Sequence, residues 1–333
     1  MKIRIIAEAG VNHNGDLALA KRLVDIAKIS GSDIVKFQTF KADRLVTLNA
    51  PKAKYQQADN ENESQFQMLE KLQISESMQL ELLAYCNNVG IKFLSTPFDI
   101  ESADFLSSIG QTLFKIPSGE ITNYPYLRHV ARIAGEVILS SGASTLNEIG
   151  SALDILYKNG QRPENVTVLH CTSAYPTPMN DVNLLAMKEI KNKFKVNVGY
   201  SDHTLGIEIA IAAVALGATT IEKHFTLDHN LPGPDQKTSL EPNELIKMVE
   251  SIRNIEIALG SGNKSPKQSE LENLNLIRKS IVAKLNIVAG EVFSNENLTT
   301  KRPGNGLSPM HWESVIGKIA KRNFEIDELI DLE

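Results

Sequence analysis

Two lysines interrupt apolar runs of this 333-residue sequence, Lys36 in Ile34-Val-Lys-Phe37 and Lys115 in Leu113-Phe-Lys-Ile116. A buried ammonium group is costly unless an anion neutralises it, so each lysine needs a carboxylate of the chain or a bound anion. For one lysine alone the simpler outcome is pairing with Glu8 or Glu222. Thr96, Ser118, Ser140 and Ser201 close neighbouring runs, and Ser118-Gly119 lets backbone N–H groups approach an oxyanion. Two lysines and four hydroxyls converging favour a phosphate or carboxylate site. His203 and His224 end two successive runs, so their imidazoles can meet. Neutral imidazole suits Mn, Fe, Co or Zn rather than Mg, and two histidines leave coordination positions open for water or substrate. Taken singly, each histidine is more often a hydrogen-bonded core residue than a ligand.

These side chains need a frame that gathers them. Eight short apolar runs, at 3–9, 33–40, 91–98, 113–118, 137–141, 166–172, 196–202 and 219–226, alternate with helix-type segments. Continuous rather than alternating apolar runs suit parallel strands covered on both faces. After Asp16, a predicted N-cap, Ala20, Leu23, Val24 and Ala27 fall on one helical face; after Thr145, Leu146, Ile149 and Leu153 do so. Eight such units in the first 260 residues predict a (β/α)8 TIM barrel. An open doubly wound sheet also alternates, but no Gly-x-Gly-x-x-Gly follows any run, and polar residues gather at nearly every strand end rather than at one switch point. Those ends carry Glu8, Asn12, His13, Lys36, Gln38, Thr96, Lys115, Ser118, Glu120, Ser140, His170, Tyr175, Ser201, Asp202, His203 and His224. Residues two apart on a strand, Lys36 with Gln38 and Glu222 with His224, share a face. Asp235, in a Pro-Gly-Pro-Asp turn after the eighth run, is expected at the same mouth, whereas His13, His129, His229 and His311 read as loop or surface residues.

At Gly260 the texture changes. The polar stretch 261–277 reads as a linker containing a short helical piece, and 278–333 as a small, mostly β domain of compact turns. A domain that small sits near the lower limit for a self-sufficient core. The charge of 35 − 40 = −5 gives no general attraction to nucleic acid or anionic lipid. Glu8 interrupts the first apolar run too early for a secretory segment, and the longest apolar run, 207–216, contains Glu208 and is too short to cross a membrane. Two cysteines are too few for a disulfide framework, so a cytoplasmic protein is expected.

The strings Ile6-Ala-Glu-Ala-Gly-Val-Asn-His-Asn-Gly15, Val35-Lys-Phe-Gln38, Ser95-Thr-Pro-Phe98, Lys115-Ile-Pro-Ser-Gly-Glu120, Tyr175-Pro-Thr-Pro178, Tyr200-Ser-Asp-His203, Glu222-Lys-His-Phe225, Pro232-Gly-Pro-Asp235 and Lys301-Arg-Pro-Gly-Asn-Gly306 occur in this order. Together they resemble the bacterial sialic acid (nonulosonic acid) synthase family, which includes the N-acetylneuraminate and N,N'-diacetyllegionaminate synthases. The C-terminal part resembles that family's antifreeze-like (SAF) domain. The resemblance implies condensation of phosphoenolpyruvate with an open-chain N-acetylated hexosamine to a nine-carbon 2-keto acid and phosphate. It implies that His203 and His224 hold a divalent metal, manganese foremost, with magnesium or cobalt as alternatives. Thr96, Lys115, Ser118, Ser140 and Ser201 then match phosphoenolpyruvate contacts, and Ser173 stands where some relatives have an Asn near the phosphate. Lys36 and Gln38 match residues near both substrates, Glu8 and Glu120 active-site carboxylates, and Tyr175 and Asp235 sugar contacts. Arg302 matches an arginine that enters the partner subunit's barrel mouth, implying a domain-swapped homodimer. The alternatives weighed are another 3-deoxy 2-keto acid synthase, which would need a second phosphate pocket, a metal-dependent hydrolase, and a non-catalytic sugar-binding protein.

Overall fold

The computed structural model describes residues 2–53 and 63–333, and the chain divides into two compact units, 1–260 and 261–333. The first carries eight strands: β1 (Arg4–Gly10), β2 (Ile34–Thr39), β3 (Lys92–Pro97), β4 (Leu113–Ile116), β5 (Glu136–Ser140), β6 (Val166–His170), β7 (Asn197–Asp202) and β8 (Thr220–His224). They pair in parallel in the order β3-β2-β1-β8-β7-β6-β5-β4, with helices covering the outside. β3 and β4 lie side by side without a ladder. Across that seam the Gln111 amide accepts from Ser95 N at 2.9 Å and donates to Ser95 O at 2.9 Å, so a side chain stands in for the missing strand pairing. The architecture is the TIM barrel that the alternation predicts.

Local signals explain the outer helices. Asp16 caps the helix Leu17–Ile29 by accepting from Ala18 N and Leu19 N, and Ala20, Leu23, Val24 and Ala27 form its buried face. Thr145 and Glu148 make a capping box on Leu146–Lys158, whose buried face is Ile149, Ala152, Leu153 and Leu156. Each fully buried Leu or Val side chain contributes roughly 1.5–3 kcal/mol relative to exposure.

Inside the barrel, Ile6, Ile34, Leu94, Leu113, Ile138 and Leu169 form one apolar cluster. A Cβ on Gly199 would overlap Leu169 and the Thr220 carbonyl, so only glycine lets β7 close around this plug. Two residues further along the chain from these six come Glu8, Lys36, Thr96, Lys115 and Ser140 on their strands and Cys171 just past the end of β6. Side chains two apart share a face, so the plug is the floor on which a polar layer stands. This is the C-terminal end of the strands, where barrels of this kind carry their chemistry.

In the second unit, residues 261–267 have no regular structure and Gln268–Ile277 is a helix with no buried residue. An antiparallel pair, β9 (Ser280–Ala283) and β10 (Leu298–Lys301), then leads a small core of Ile281, Ala283, Ile287, Phe293, Leu298, Val315, Ala320, Phe324 and Ile330.

Candidate active site

A cavity of about 360 Å³ opens at the strands' C-terminal ends. At its base Lys36 Nζ lies 2.9 Å from Glu8 Oε2, 2.8 Å from Thr96 Oγ1 and 3.8 Å from Glu222 Oε1. Lys115 Nζ donates to Glu222 Oε1 at 2.9 Å, and Gln38 Nε2 donates to Glu8 Oε1 at 3.1 Å. Both lysines therefore do pair with internal carboxylates, yet all four charged groups still line the cavity. The two carboxyls are not equivalent. Burial, outweighing Lys36 and reinforced by Glu222, raises the proton affinity of Glu8. Burial acts on Glu222 too, but Lys115 and Lys36 outweigh it and hold that carboxyl at about 2. One firmly ionised carboxyl and one of higher proton affinity therefore stand side by side in this cluster.

Hydroxyls flank this cluster. Ser118 Oγ accepts from Gly142 N at 3.0 Å and sits 3.4 Å from Cys171 Sγ, and Ser140, Ser173 and Ser201 line the same side. A Cβ on Gly142 would overlap both Ser173 Oγ and Ser118 Oγ, so glycine is what keeps this hydroxyl cradle open.

His203 and His224 stand together at the end of β7 and β8, their ring centroids 5.6 Å apart. Tyr175 stacks on His203 at 4.1 Å and meets His224 edge-on at 5.7 Å. A carbonyl only accepts, so the 2.7 Å contact of His203 Nδ1 with Thr172 O fixes the proton on Nδ1 and makes Nε2 the ring's lone-pair nitrogen, an acceptor of hydrogen bonds in this structure. Tyr175 Oη and Ser201 Oγ lie 3.1 and 3.3 Å from that Nε2. His224 Nδ1 is buried without a hydrogen-bond partner, 3.6 Å from Asp235 Oδ2. Burial pushes His203 down to about 4, and burial with the neighbouring His203 and Lys36 pushes His224 well below the ordinary range. Burial and then Glu8 raise Asp235 to about 7. Behind the pair, the Asp202 carboxylate accepts from Lys223 Nζ at 2.9 Å and from Thr204 N and Oγ1 at 2.9 and 2.8 Å. Lys223 and Asp202 are fully buried on the far side of their strands, where they staple the tip that carries His203 to β8.

Two neutral imidazoles, one with its tautomer set and one with an orphaned buried nitrogen, are a donor set that fits a divalent transition metal. Among the described residues no group of three or more His, Cys, Asp or Glu is arranged to hold an ion.

Of the residues singled out in the sequence, Glu8, Lys36, Gln38, Thr96, Lys115, Ser118, Glu120, Ser140, Ser173, Tyr175, Ser201, His203, His224 and Asp235 all line this cavity. Burial raises the Glu120 carboxyl, whose Oε2 accepts from Asn123 Nδ2 at 2.5 Å. Arg302 belongs to the second unit and is exposed, with Nε donating to Ile277 O at 3.1 Å. Asn12 and His170 bond backbone carbonyls instead, at Phe225 and Val182. His13 is not a surface residue. It is fully buried, accepts from Gly15 N at 2.9 Å and packs on Phe37, because the turn after β1 folds back over the barrel. Two features escaped the sequence reading. Glu222, legible only as a structural partner, is a central charge of the site. Val11, Phe40, Leu45, Val46, Met68, Leu69, Leu72 and Phe98 form an apolar wall of the cavity. Its signal was present in part, since Phe40 and Phe98 continue the inward period of Gln38 and Thr96.

Residues 278–333 match the model of the SAF domain. Over 330 residues, 99% of each chain, the sequence is 55% identical to a protein of Campylobacter jejuni subsp. jejuni serotype O:2 named N,N'-diacetyllegionaminic acid synthase. A Legionella pneumophila protein of the same name is 48% identical, covering 96% of this chain and 90% of that one. A crystal structure of N-acetylneuraminic acid (sialic acid) synthetase from Leptospira borgpetersenii serovar Hardjo-bovis, in complex with citrate, superposes with a TM-score of 0.72 at 36% identity, covering 82% of this chain and 90% of that chain. With residues 23–264 matching the NeuB family model and relatives this similar along the whole length, the chain belongs to the NeuB family.

Proposed function

We propose that this chain condenses phosphoenolpyruvate with the open-chain form of an N-acetylated amino sugar, N-acetylmannosamine or 2,4-diacetamido-2,4,6-trideoxymannose, to give a nine-carbon 2-keto acid and phosphate. One observation carries it: a single cavity holds a two-lysine anion site, a cradle of hydroxyls and an imidazole pair, in a chain so similar to proteins named for such syntheses. Lys36 and Lys115, with Thr96, Ser118, Ser140, Ser173 and Ser201, bind the phosphate and carboxylate of phosphoenolpyruvate. Gln38, Glu120, Tyr175 and Asp235 face the sugar.

In this mechanism C3 of phosphoenolpyruvate attacks the sugar aldehyde at C1: the carbon–carbon bond forms as the aldehyde's C=O π pair moves onto its oxygen, which takes up a proton to become the product's hydroxyl. The lysines hold the phosphate and carboxylate in place while positive charge develops at C2, so they bind and orient phosphoenolpyruvate rather than stabilise that charge. Water adds at C2, and Glu8, with its raised proton affinity, takes the water's proton. The tetrahedral intermediate then collapses by C–O cleavage, releasing phosphate and leaving the ketone. His203 and His224 would hold a divalent ion, manganese foremost with magnesium or cobalt as alternatives, which when bound supplies Lewis-acid polarisation of the aldehyde. Aligning both substrates over one floor replaces a bimolecular encounter with a positioned one.

Arg302 is assigned to the sugar site of a second copy, in a domain-swapped homodimer; a monomer in sedimentation equilibrium at assay concentration would overturn that assignment. The reaction is placed in the cytoplasm, where phosphoenolpyruvate is made. The buried free thiols of Cys86 and Cys171 agree with a reducing compartment, and no helix among the described residues is long and apolar enough to cross a membrane. The activity itself is tested by phosphate release from phosphoenolpyruvate. Release is expected only when amino sugar is also present, and equal release without sugar contradicts the condensation.

A further inference from the structure

We infer that the apolar wall of the cavity is the specificity determinant for the far end of the sugar, and that it selects a 6-deoxy, N-acylated amino sugar over one with a hydroxymethyl end. This rests on the condensation proposed above. The two lysines are the cationic side chains of the cavity lining among the described residues, and they stand on the apolar floor. Phosphoenolpyruvate must therefore lie low, and the sugar's aldehyde carbon must meet it there, beside the imidazole pair. The rest of the sugar chain climbs toward the mouth. There the two sides differ in kind.

On the side of β6 to β8 the mouth offers Tyr175 and Asp235. On the side of β1 to β3 it offers Phe40, Met68, Leu69 and Leu72, with Gln38 and Gln65 as polar residues at their margins. These four belong to a packed cluster of their own, distinct from the barrel core, in which Phe40 meets Phe98 edge-on at 6.0 Å. The helix Gln65–Leu72 that supplies three of them begins with a capping box at Ser64 and Gln67. A hydroxymethyl group laid on these four side chains would lose hydrogen bonds to water that none of the four can replace. A methyl group at that carbon, or the methyl of a second acetamido group, loses none and gains contact. An apolar surface discriminates against an added hydroxyl only modestly, by about 100-fold in kcat/KM.

The test measures kcat/KM for 2,4-diacetamido-2,4,6-trideoxymannose and for N-acetylmannosamine by phosphate release, in the wild type and in Met68→Gln, Leu72→Gln and Met68→Leu. The wild type is expected to favour the deoxy sugar by about 100-fold. Each glutamine variant should lower that ratio about tenfold, mostly through the deoxy sugar, with KM for phosphoenolpyruvate unchanged, and Met68→Leu should keep it. A wild-type ratio near unity, or glutamine variants that lose both sugars equally, overturns the wall's role while leaving the condensation standing. No phosphate release with either sugar overturns the condensation, and the inference falls with it.

Discussion

Lys115→Met is expected to lower kcat/KM for phosphoenolpyruvate by about a thousandfold or more, the scale of removing a preorganised charge from a buried anion site. The geometry explains why the loss exceeds that of one contact. Glu222 Oε1 is 2.9 Å from Lys115 Nζ but 3.8 Å from Lys36 Nζ, so the variant leaves a buried carboxylate facing the incoming phosphate with its better partner gone. Breaking a buried pair this way costs about 3–5 kcal/mol of stability, so the variant alone confounds folding with function. Lys115→Met combined with Glu222→Gln removes both charges. It should recover most of the denaturation midpoint and none of the activity. Recovery of activity in the double variant would mean that Lys115 serves Glu222 rather than the substrate.

The second large effect concerns the imidazole pair. Alanine at His203 or His224 is expected to weaken manganese binding by at least about 100-fold, and treatment of the wild type with a chelator should abolish turnover until manganese is returned. Binding is read directly by calorimetric titration or by the paramagnetic signal of free manganese, so the result does not depend on catalysis. Tyr175→Phe separates ligation from packing, because it keeps the ring stacked on His203 and removes only the hydroxyl near Nε2. Manganese affinity should change little in that variant. Chelator-insensitive turnover, or unaltered manganese affinity in both alanine variants, would remove the metal from the proposed mechanism.

Much of the site is legible in the sequence because a barrel strand alternates its faces. Ile34, Lys36 and Gln38 read in order as plug, anion site and mouth, and Leu113 with Lys115 repeats the first two steps. Register does the rest: Glu8 pairs with Lys36 on one side and His224 on the other, joining residues far apart in the chain. What stays hidden depends on sidedness and closure. Nothing local distinguishes Met68, Leu69 and Leu72 from the buried face of any amphipathic helix; only the fold turns their tips toward a cavity. Gln111 is likewise an ordinary polar residue until the unpaired seam between β3 and β4 gives its amide a role. His13 looked like a loop residue because Asn-His-Asn-Gly reads as a turn, and the turn is real, but it is folded inward.

The most direct measurement runs the complete reaction in water carrying heavy oxygen and weighs the released phosphate. If the two lysines hold the phosphate while water adds at C2, the carbon–oxygen bond breaks and the phosphate contains no heavy oxygen. Heavy oxygen in the phosphate would mean that water attacks phosphorus, and the cavity would then be a hydrolytic site rather than one that joins carbon to carbon.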